Sequence, residues 1–318
     1  KVYDVPNQRS SHSTPIPRGG GIGMLVPWLA GVVILWASGT IPFGGFSLAL
    51  TIGVAGLAVI GFVDDVRDLS PRLRLGLEGL LIALCLFIAD GSMASIGVPG
   101  LELSLGSWGW FVAWLFVVGF TNMFNFMDGI NGIAGFQALI GAAGLALLAS
   151  IGGDPILALP MALLAGSAVG FLRYNFPSAS VFMGDVGSLP IGFALAMGVI
   201  RAQSGSGVEG LVPLWIPMLM IWPFLFDATY TLVNRTLRKR NPFRAHRSHA
   251  YQRLIVSGWT HARVTSLYVV MMLVTTAGGI AARQFSSWGG WIFWVIFVVS
   301  LVWTARTMTR IRASATER

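Results

Sequence analysis

The sequence predicts an all-α polytopic membrane protein, and three observations lead to this fold class. Of the 318 residues, 55% are hydrophobic and only 11% are charged, whereas soluble domains carry ~25% charged residues. The apolar residues form long runs, many of them near the ~20 residues that a helix needs to span a bilayer. All but two of the 21 Lys and Arg residues fall in alternate connections between these runs. No internal repeat or interdomain linker is evident, so residues 1–318 are predicted to form a single membrane domain.

Ten apolar runs are candidate membrane helices. In chain order they cover residues 20–36, 46–63, 75–89, 108–120, 133–150, 155–172, 189–200, 211–232, 264–282 and 288–303. The eighth run contains Pro213, Pro217 and Pro223, and proline removes a helical hydrogen bond and clashes with the preceding turn. A kinked or broken helix is therefore expected there.

The distribution of basic residues orients the chain. If the ten helices alternate in direction, only Arg201 and Arg283 lie on one side of the membrane. Basic residues concentrate in cytoplasmic connections, so the basic side is predicted to be the cytoplasmic side. The net charge of +8 is then explained by orientation and by attraction to anionic headgroups or phosphates, and a nucleic-acid partner is not expected.

Two further expectations concern the ends and the outer side of the chain. The first 19 residues are polar and contain no signal peptide, and we expect an eleventh helix before Lys1 that places the N-terminus outside. On the outer side, residues 95–105 partly alternate around Pro99-Gly100, which predicts a small periplasmic β-hairpin. Cys85 is the single cysteine, so an intrachain disulfide is excluded.

Polar side chains follow directly on the fourth apolar run, in the stretch Asn122-Met-Phe-Asn-Phe-Met-Asp-Gly-Ile-Asn-Gly-Ile133. An unpaired charge in hydrocarbon costs at least ~2.5 kcal/mol, so these groups need water, each other or a ligand. Its glycines let the backbone approach a bound group closely. We interpret the stretch as a binding loop at the membrane edge rather than as an ordinary hydrophilic turn.

The acidic residues on the basic side point to a metal. Asp64 and Asp65 are adjacent and would repel each other unless a cation or a basic side chain balances them. Carboxylates from several loops, without a thiol set, favour Mg²⁺, or alternatively Mn²⁺, over zinc. The competing interpretation is an exposed acidic turn that pairs with arginines of the same connection, namely Arg67, Arg72 and Arg74. Glu78, inside the third run, is interpreted as a partner between helices in preference to a site residue.

Two more connections on the basic side carry polar signals. Residues 175–188 place Asp185 between Gly184 and Gly187 just before an apolar run, which suits a metal-bound diphosphate at a helix start. Phe182 could stack on a flat base. In the connection 234–263, His246, Arg247 and His249 form a donor set for phosphate oxygens; the two histidines are alternatively metal ligands.

These motifs together resemble one family. The motifs are Asp64-Asp65, the Asn-x-x-Asn-x-x-Asp-Gly pattern at 122–129, Phe-Met-Gly-Asp-Val-Gly-Ser at 182–188 and the His-x-x-His loop at 246–249. In this order they resemble the polyprenyl-phosphate N-acetylhexosamine 1-phosphate transferases, the WecA, TagO and MraY superfamily. The resemblance covers essentially the whole chain and is nearest to the WbpL-type enzymes that initiate O-antigen synthesis. The eleven-helix fold of the family agrees with an additional helix before Lys1.

The resemblance implies a multi-pass enzyme of the bacterial inner membrane with its active site on the cytoplasmic face. It would transfer a sugar 1-phosphate from a UDP-N-acetylhexosamine to undecaprenyl phosphate and release UMP, with Mg²⁺ and in contact with membrane lipid. A homodimer is one possible assembly. By similarity, the catalytic residues are Asp64, Asp65 and Asp128, the metal ligand is Asp185, the nucleotide and sugar site is formed by Asn125, Asn131, Asn175 and Phe182, and the phosphate site by Arg72, His246, Arg247 and His249.

Two departures from the family pattern bear on the substrate. Many members carry a second acid where this chain has Asn131. MraY-type enzymes have three consecutive histidines where this chain reads His246-Arg247-Ser248-His249, which favours a UDP-N-acetylhexosamine such as UDP-GlcNAc, UDP-FucNAc or UDP-QuiNAc over a muramyl-pentapeptide donor. A MraY-like phospho-muramyl-pentapeptide transferase stays as the alternative enzyme, and an ion-coupled transporter as the alternative from another class. Transporters place ionisable groups near the membrane midplane, whereas here the acids gather at one face.

Overall fold

A computed structural model describes residues 3–4, 15–204, 212–239 and 247–316 and shows a predominantly helical chain. The helices are α1 Gly20–Ala37, α2 Gly45–Arg67, α3 Pro71–Ala89, α4 Gly109–Met127, α5 Ile133–Ile151, α6 Pro155–Asn175, α7 Asp185–Gln203, α8 Trp215–Met218, α9 Trp222–Leu237, α10 Ala250–Val256, α11 His261–Gln284 and α12 Ser286–Thr316. The strands are β1 Tyr3–Asp4, β2 Ile16–Pro17, β3 Ser95–Val98 and β4 Leu101–Ser104. The predicted fold class, an all-α polytopic membrane protein, is confirmed.

Eight of the described helices are long and apolar enough to cross a membrane. They correspond to eight of the ten predicted runs. The other two runs are also helical: α3 carries Arg72, Arg74 and Glu78 within its 19 residues, and α9 has only 16 residues. Charge in one case and length in the other thus set these two helices apart from the rest.

The proline-rich eighth run is broken, as predicted. Pro213 precedes the four-residue helix α8, Pro217 lies inside α8, and Pro223 lies in the first turn of α9. The first turn of a helix tolerates proline because its N–H has no helical partner there. The two pieces are therefore separate helices.

The predicted hairpin is present. Strands β3 and β4 pair antiparallel, with Val98 opposite Leu101 across the Pro99-Gly100 turn. It lies between α3 and α4, at the end of these helices opposite to the basic connections.

Helix α7 is the centre of the bundle. Its residues from Val186 to Ile200 are all buried, and α1, α2, α4 and α5 pack around it. Glycines allow the close contacts, since a Cβ on Gly61 of α2 would overlap the carbonyl oxygen of Asp185. Small residues bring helix backbones together in membrane proteins, where dispersion contacts replace the hydrophobic effect. The N-terminus of α7, at Asp185, is thereby fixed against α2.

Helix α4 extends further than the sequence indicated. The apolar run was expected to end at Phe120, but α4 continues to Met127, so that Asn122 and Asn125 lie on its last turns and the loop proper is only residues 128–132. The amide of Asn122 donates to Glu78 Oε2 at 2.7 Å and that of Asn125 donates to Asp185 Oδ1 at 2.9 Å. These polar side chains stay helical because neighbouring helices supply their partners.

Candidate active site

Four helices bring acidic and amide side chains together at one end of the bundle. The last turn of α2 carries Asp64 and Asp65, the last turn of α4 carries Asn125, the first turn of α3 carries Arg74, and α7 begins with Asp185. All four elements end or begin at connections of the basic side. The predicted convergence of Asp64, Asp65 and Asp185 is present in the structure.

Arg74 is at the centre of this cluster. Its Nη1 donates to Asp64 Oδ2 at 2.7 Å and to Asp185 Oδ2 at 2.8 Å, and its Nε lies 3.4 Å from Glu78 Oε1. Asp64 also accepts a hydrogen bond from the backbone N–H of Leu69 at 2.7 Å. A guanidinium presents several donors in a fixed planar geometry, which lets one side chain join carboxylates from α2, α3 and α7.

Asp65 binds the start of α7. Its Oδ2 accepts the backbone N–H of Val186 at 3.0 Å, and its Oδ1 lies 3.9 Å from Nη1 of Arg18. A carboxylate is stabilised at a helix N-terminus by the unpaired N–H groups and the helix dipole. Gly184, just before α7, has φ +73, and a Cβ there would lie 2.8 Å from Asp65 Oδ2. The backbone therefore needs glycine to bring α7 onto this carboxylate.

Asn125 fixes the side chain of Asp185. Its Nδ2 donates to Asp185 Oδ1 at 2.9 Å and to Ser188 Oγ at 2.8 Å. Because Arg74 binds the other oxygen of Asp185, the two oxygens of this carboxylate are held by different helices, α4 and α3. The amide faces the acid rather than the bulk solvent, as expected of a residue that shapes a site.

Asp128 follows α4 directly and adds a further negative charge. Burial, followed by repulsion from Asp185 and Asp65, raises the pKa of Asp128 to about 7, while Arg18 acts in the opposite direction. A carboxyl whose charge is opposed by neighbouring carboxylates indicates a cluster with an excess of negative charge. Such a cluster favours a cation beyond the arginines already present.

Asn131, Asn175 and Phe182 organise the loops beside the cluster. The amide of Asn175 accepts from Gly132 N at 2.7 Å and donates to Val181 O at 2.8 Å, and that of Asn131 donates to Pro177 O at 3.1 Å. The backbone of Phe182 bonds to Pro17 and Gly20, and its side chain is half-buried. Their assignment to nucleotide binding stays a prediction.

The basic connection is described only in part. His246 lies outside the described residues. Arg247 is exposed, whereas His249 is buried, with Nδ1 at 3.6 Å from Asp227 Oδ1. Helix α10 follows directly, and the Tyr251 hydroxyl donates to the carbonyl oxygen of Phe126 at 3.1 Å. Helix α10 and the described residues 247–249 before it are thereby attached to the end of α4, next to Asp128.

The sequence singled out Arg72 in this connection but not Arg74, and the assignment of Arg72 to phosphate binding stays a prediction. Arg72, selected as a phosphate ligand, is exposed, and Arg74 makes the contacts with Asp64 and Asp185. Pairing of the acidic residues with Arg74 was part of the competing interpretation, in which an acidic turn pairs with Arg67, Arg72 and Arg74. The available signal was Glu78, four residues after Arg74 on the same helix face. Glu78 is fully buried and holds Arg74 and Asn122, which agrees with its interpretation as a partner between helices.

Among the described residues, no three His, Cys, Asp or Glu side chains are arranged closely enough to form a ready-made metal cage. Mg²⁺ does not require one, since it is usually bound by one or two carboxylates together with water and substrate phosphates. The donors at this site are carboxylate and amide oxygens, which fit that ion.

A model of Glycosyl transferase family 4 matches residues 47–203. The matched segment runs from α2 to α7 and so contains Asp64, Asp65, Arg74, Asn125 and Asp185. Fold and site thus define a polytopic membrane protein of the glycosyl transferase class.

Similar proteins narrow this class to a family. The chain is 29% identical to a probable undecaprenyl-phosphate N-acetylglucosaminyl 1-phosphate transferase of Bacillus subtilis, over 90% of this chain and 79% of that protein. It is 30% identical to a decaprenyl-phosphate N-acetylglucosaminephosphotransferase of Mycobacterium tuberculosis, over 88% and 75%. It is also 30% identical to a phospho-N-acetylmuramoyl-pentapeptide-transferase of Desulforamulus reducens, over 86% and 84%. The chain belongs to the polyprenyl-phosphate N-acetylhexosamine 1-phosphate transferase family.

Proposed function

We propose that the protein transfers an N-acetylhexosamine 1-phosphate from a UDP-sugar to undecaprenyl phosphate, forming an undecaprenyl-diphosphate sugar and UMP. The observation that carries the proposal is the convergence of Asp64 and Asp185 on Arg74, with Asp65 bound to the first turn of α7 beside Asp185. Family membership supports the reaction type, because the Bacillus and Mycobacterium relatives are named as transferases of this kind.

The proposed reaction needs neutralisation and alignment more than a strong base. An oxygen of the lipid phosphate attacks the β-phosphorus of the donor, and the bond from that phosphorus to the bridging oxygen breaks as UMP leaves with the oxygen. Because the acceptor is already an anion, catalysis consists of holding its oxygen in line and stabilising charge on the phosphoryl group. Arg74, bound between two carboxylates, and the exposed Arg247 are the described cations suited to this role. Asp64 and Asp65 would face the lipid phosphate.

Mg²⁺, or alternatively Mn²⁺, is the proposed cofactor. Asp185 would be its principal ligand, and the donor diphosphate and water would complete the set, in keeping with the preference of Mg²⁺ for few carboxylates and substrate phosphates. The ion would neutralise the donor diphosphate and stabilise the departing UMP. Burial raises the pKa of Asp128 most, and repulsion from Asp185 and Asp65 adds to it; a divalent ion would offset this part of the negative charge.

The proposed location is the bacterial inner membrane, with the site on the cytoplasmic face. Support comes from the basic connections, which lie at the same end of the helices as the acidic cluster. UDP-sugars are cytosolic compounds, so this orientation gives the donor access. The product would initiate O-antigen or another surface polysaccharide, and a homodimer is compatible with the proposal.

A muramyl-pentapeptide donor is the second candidate, favoured by the similarity to the Desulforamulus protein. Against it stands the sequence His246-Arg247-Ser248-His249 in place of three consecutive histidines. A transporter function would need ionisable groups near the membrane midplane, whereas the cluster lies at helix ends.

A donor panel tests the proposal. Purified protein is incubated with Mg²⁺, undecaprenyl phosphate and, in separate reactions, UDP-GlcNAc, UDP-FucNAc, UDP-QuiNAc or UDP-muramyl-pentapeptide, and lipid products are identified by mass spectrometry. A lipid diphosphate sugar from one of the first three donors is expected. A product from the pentapeptide donor alone would support the second candidate, and no lipid product from any donor would count against transferase activity.

A further inference from the structure

A buried carboxylate on α9 lies outside the acidic cluster and has a different set of partners. Asp227 is 2% exposed. Its Oδ2 accepts from the Tyr268 hydroxyl at 2.6 Å, and its Oδ1 accepts from the backbone N–H of Ala250 at 2.9 Å. Thr231 and the N–H of Tyr251 add longer contacts at 3.2 and 3.4 Å. The carboxylate therefore joins α9, α10 and α11.

Asp227 caps α10 from a neighbouring helix. The first N–H groups of a helix have no partners within it, and here Asp227 accepts those of Ala250 and Tyr251. The residues immediately before α10 are Arg247, Ser248 and His249. Since His249 also lies against Asp227, this one carboxylate fixes both the start of α10 and the end of the basic connection.

Tyr251 links α10 to the other side of the site. Its hydroxyl donates to Phe126 O at 3.1 Å and accepts from Gln252 Nε2 at 3.1 Å. A Cβ on Gly129 would overlap this hydroxyl, so the Asp-Gly sequence after α4 makes room for it. Burial and the charges of Asp227 and Asp128 raise the pKa of Tyr251. The hydroxyl thus remains a donor at neutral pH.

We infer that Asp227 and Tyr251 are positioning residues that set the distance between the basic connection at Arg247 and His249 and the acidic end of α4 at Asp128. The inference rests on the proposed function, in which these two segments bind the same donor. Neither residue is among the proposed phosphate ligands: Asp227 holds the start of α10, and Tyr251 holds α10 against the end of α4. A displacement of about 1 Å in such a site lowers turnover by about 10²-fold.

The test compares Tyr251→Phe, Asp227→Asn and the double variant with Tyr230→Phe. Tyr230 lies on α9 with its ring stacked on Phe226. Tyr230→Phe is the matched control because it also removes one tyrosine hydroxyl. For each variant and for wild type, we measure kcat, KM for UDP-GlcNAc and the melting temperature in one detergent. Each single variant is expected to lose about tenfold or more in kcat, Tyr251→Phe at a nearly unchanged melting temperature, and Tyr230→Phe should stay within twofold of the wild-type kcat. Because the two residues act on one helix as a unit, the double variant should be about as slow as the slower single variant.

Two results would overturn the inference: single variants with kcat within twofold of wild type, or a double variant whose loss is the product of the single losses. If Asp227→Asn is not recovered folded, Tyr268→Phe replaces it, since that change removes the 2.6 Å hydrogen bond and keeps the carboxylate. Hydrogen exchange gives a readout independent of turnover: Tyr251→Phe should raise exchange in both 124–132 and 247–256. A wild type without turnover but with this exchange pattern would contradict the proposed function and leave the positioning role supported; an unchanged pattern would refute that role.

Discussion

Arg74 holds the acidic cluster together at the level of single residues. It contacts carboxylates of three helices, and its hydrogen bonds to Asp64 and Asp185 are 2.7 and 2.8 Å long. Breaking a partly buried ionic network by removing one partner is costly because the remaining charges lose their compensation. The arrangement makes Arg74 the residue on which the geometry of the cluster depends most.

Arg74→Ala is expected to lower kcat/KM by about 10²-fold, a loss typical of removing one charged group that stabilises a transition state. Arg74→Lys should recover only part of it, since an ammonium cannot reproduce the planar set of donors. The measurement is UMP release, with the exposed Arg67→Ala as control. A larger loss of kcat/KM in Arg72→Ala than in Arg74→Ala would contradict the central role of Arg74.

The raised pKa of Asp128 predicts that the stability of the protein depends on pH. This pKa is raised to about 7 from an ordinary value of 3.8, so the folded state binds this proton more tightly than the unfolded state. The resulting stabilisation is present below pH ~4 and is lost as the pH rises to about 7. In EDTA, the melting temperature of wild type should therefore fall between pH 5 and pH 8 by more than that of Asp128→Asn.

Thermal unfolding at several pH values checks this difference. Added Mg²⁺ should reduce the fall, since a bound cation favours the ionised carboxyl. Equal pH dependence in wild type and Asp128→Asn would show that Asp128 titrates normally.

Which site residues the sequence could identify depended on local signals. Asp64, Asp65, Asp128 and Asp185 stand out because charge is rare next to apolar runs. The choice between Arg72 and Arg74 depended instead on the rotation of α3, which is set by the buried contact of Glu78 with Asn122 across 44 residues of sequence. No local pattern contains that contact, and the same is true of the burial of His249 against Asp227.

At the level of elements, the site depends on how closely α2 approaches the start of α7. Gly61 leaves room for the carbonyl oxygen of Asp185, and Gly21 of α1 contacts Gly187 in the same way. The sequence showed these glycines but not which helices meet at them, because apolar runs of similar composition give no information about their neighbours. The end of α4 was also predicted too early from the sequence, because Asn122 and Asn125 find their hydrogen-bond partners only in the folded bundle.

Gly61→Ala is expected to destabilise the protein by about 1–3 kcal/mol, the usual cost of overpacking a close contact, and to lower activity by displacing Asp185. Gly76→Ala is the matched control, because a Cβ at this helical position of α3 meets no atom within 4 Å. Thermal unfolding and UMP release are measured on both variants. Equal stability of the two would contradict the close packing of α2 on α7.

At the scale of the whole molecule, the proposed function requires the acidic cluster and the hairpin to lie on opposite sides of the membrane. The fold class, the broken eighth run and the hairpin followed from composition, proline and alternation, which are local properties. The convergence of four helix ends did not follow from them alone; the resemblance of several ordered motifs to one family provided that expectation.

Cysteine accessibility tests the orientation. In a Cys85→Ala background, which removes the single and buried thiol, a cysteine is introduced at Ser107 or at Ser178, both exposed and in different connections. An impermeant maleimide added to intact spheroplasts should label Ser107→Cys at once and Ser178→Cys only after permeabilisation. The reverse pattern would place the site on the outer face and exclude a cytosolic donor.

The most direct test of the central claim is the metal dependence of UMP release by the purified protein and its Asp185→Ala variant. With UDP-GlcNAc or the donor found in the panel, wild type should turn over with Mg²⁺ and stop in EDTA, and Asp185→Ala should be slower by about 10³-fold, the effect of several kcal/mol of lost charge stabilisation. Asp90→Ala, an exposed acid at the opposite end of the helices, should stay within twofold of wild type. Turnover at the wild-type rate in EDTA or in Asp185→Ala would contradict the claim that Asp185 holds a cation needed for catalysis.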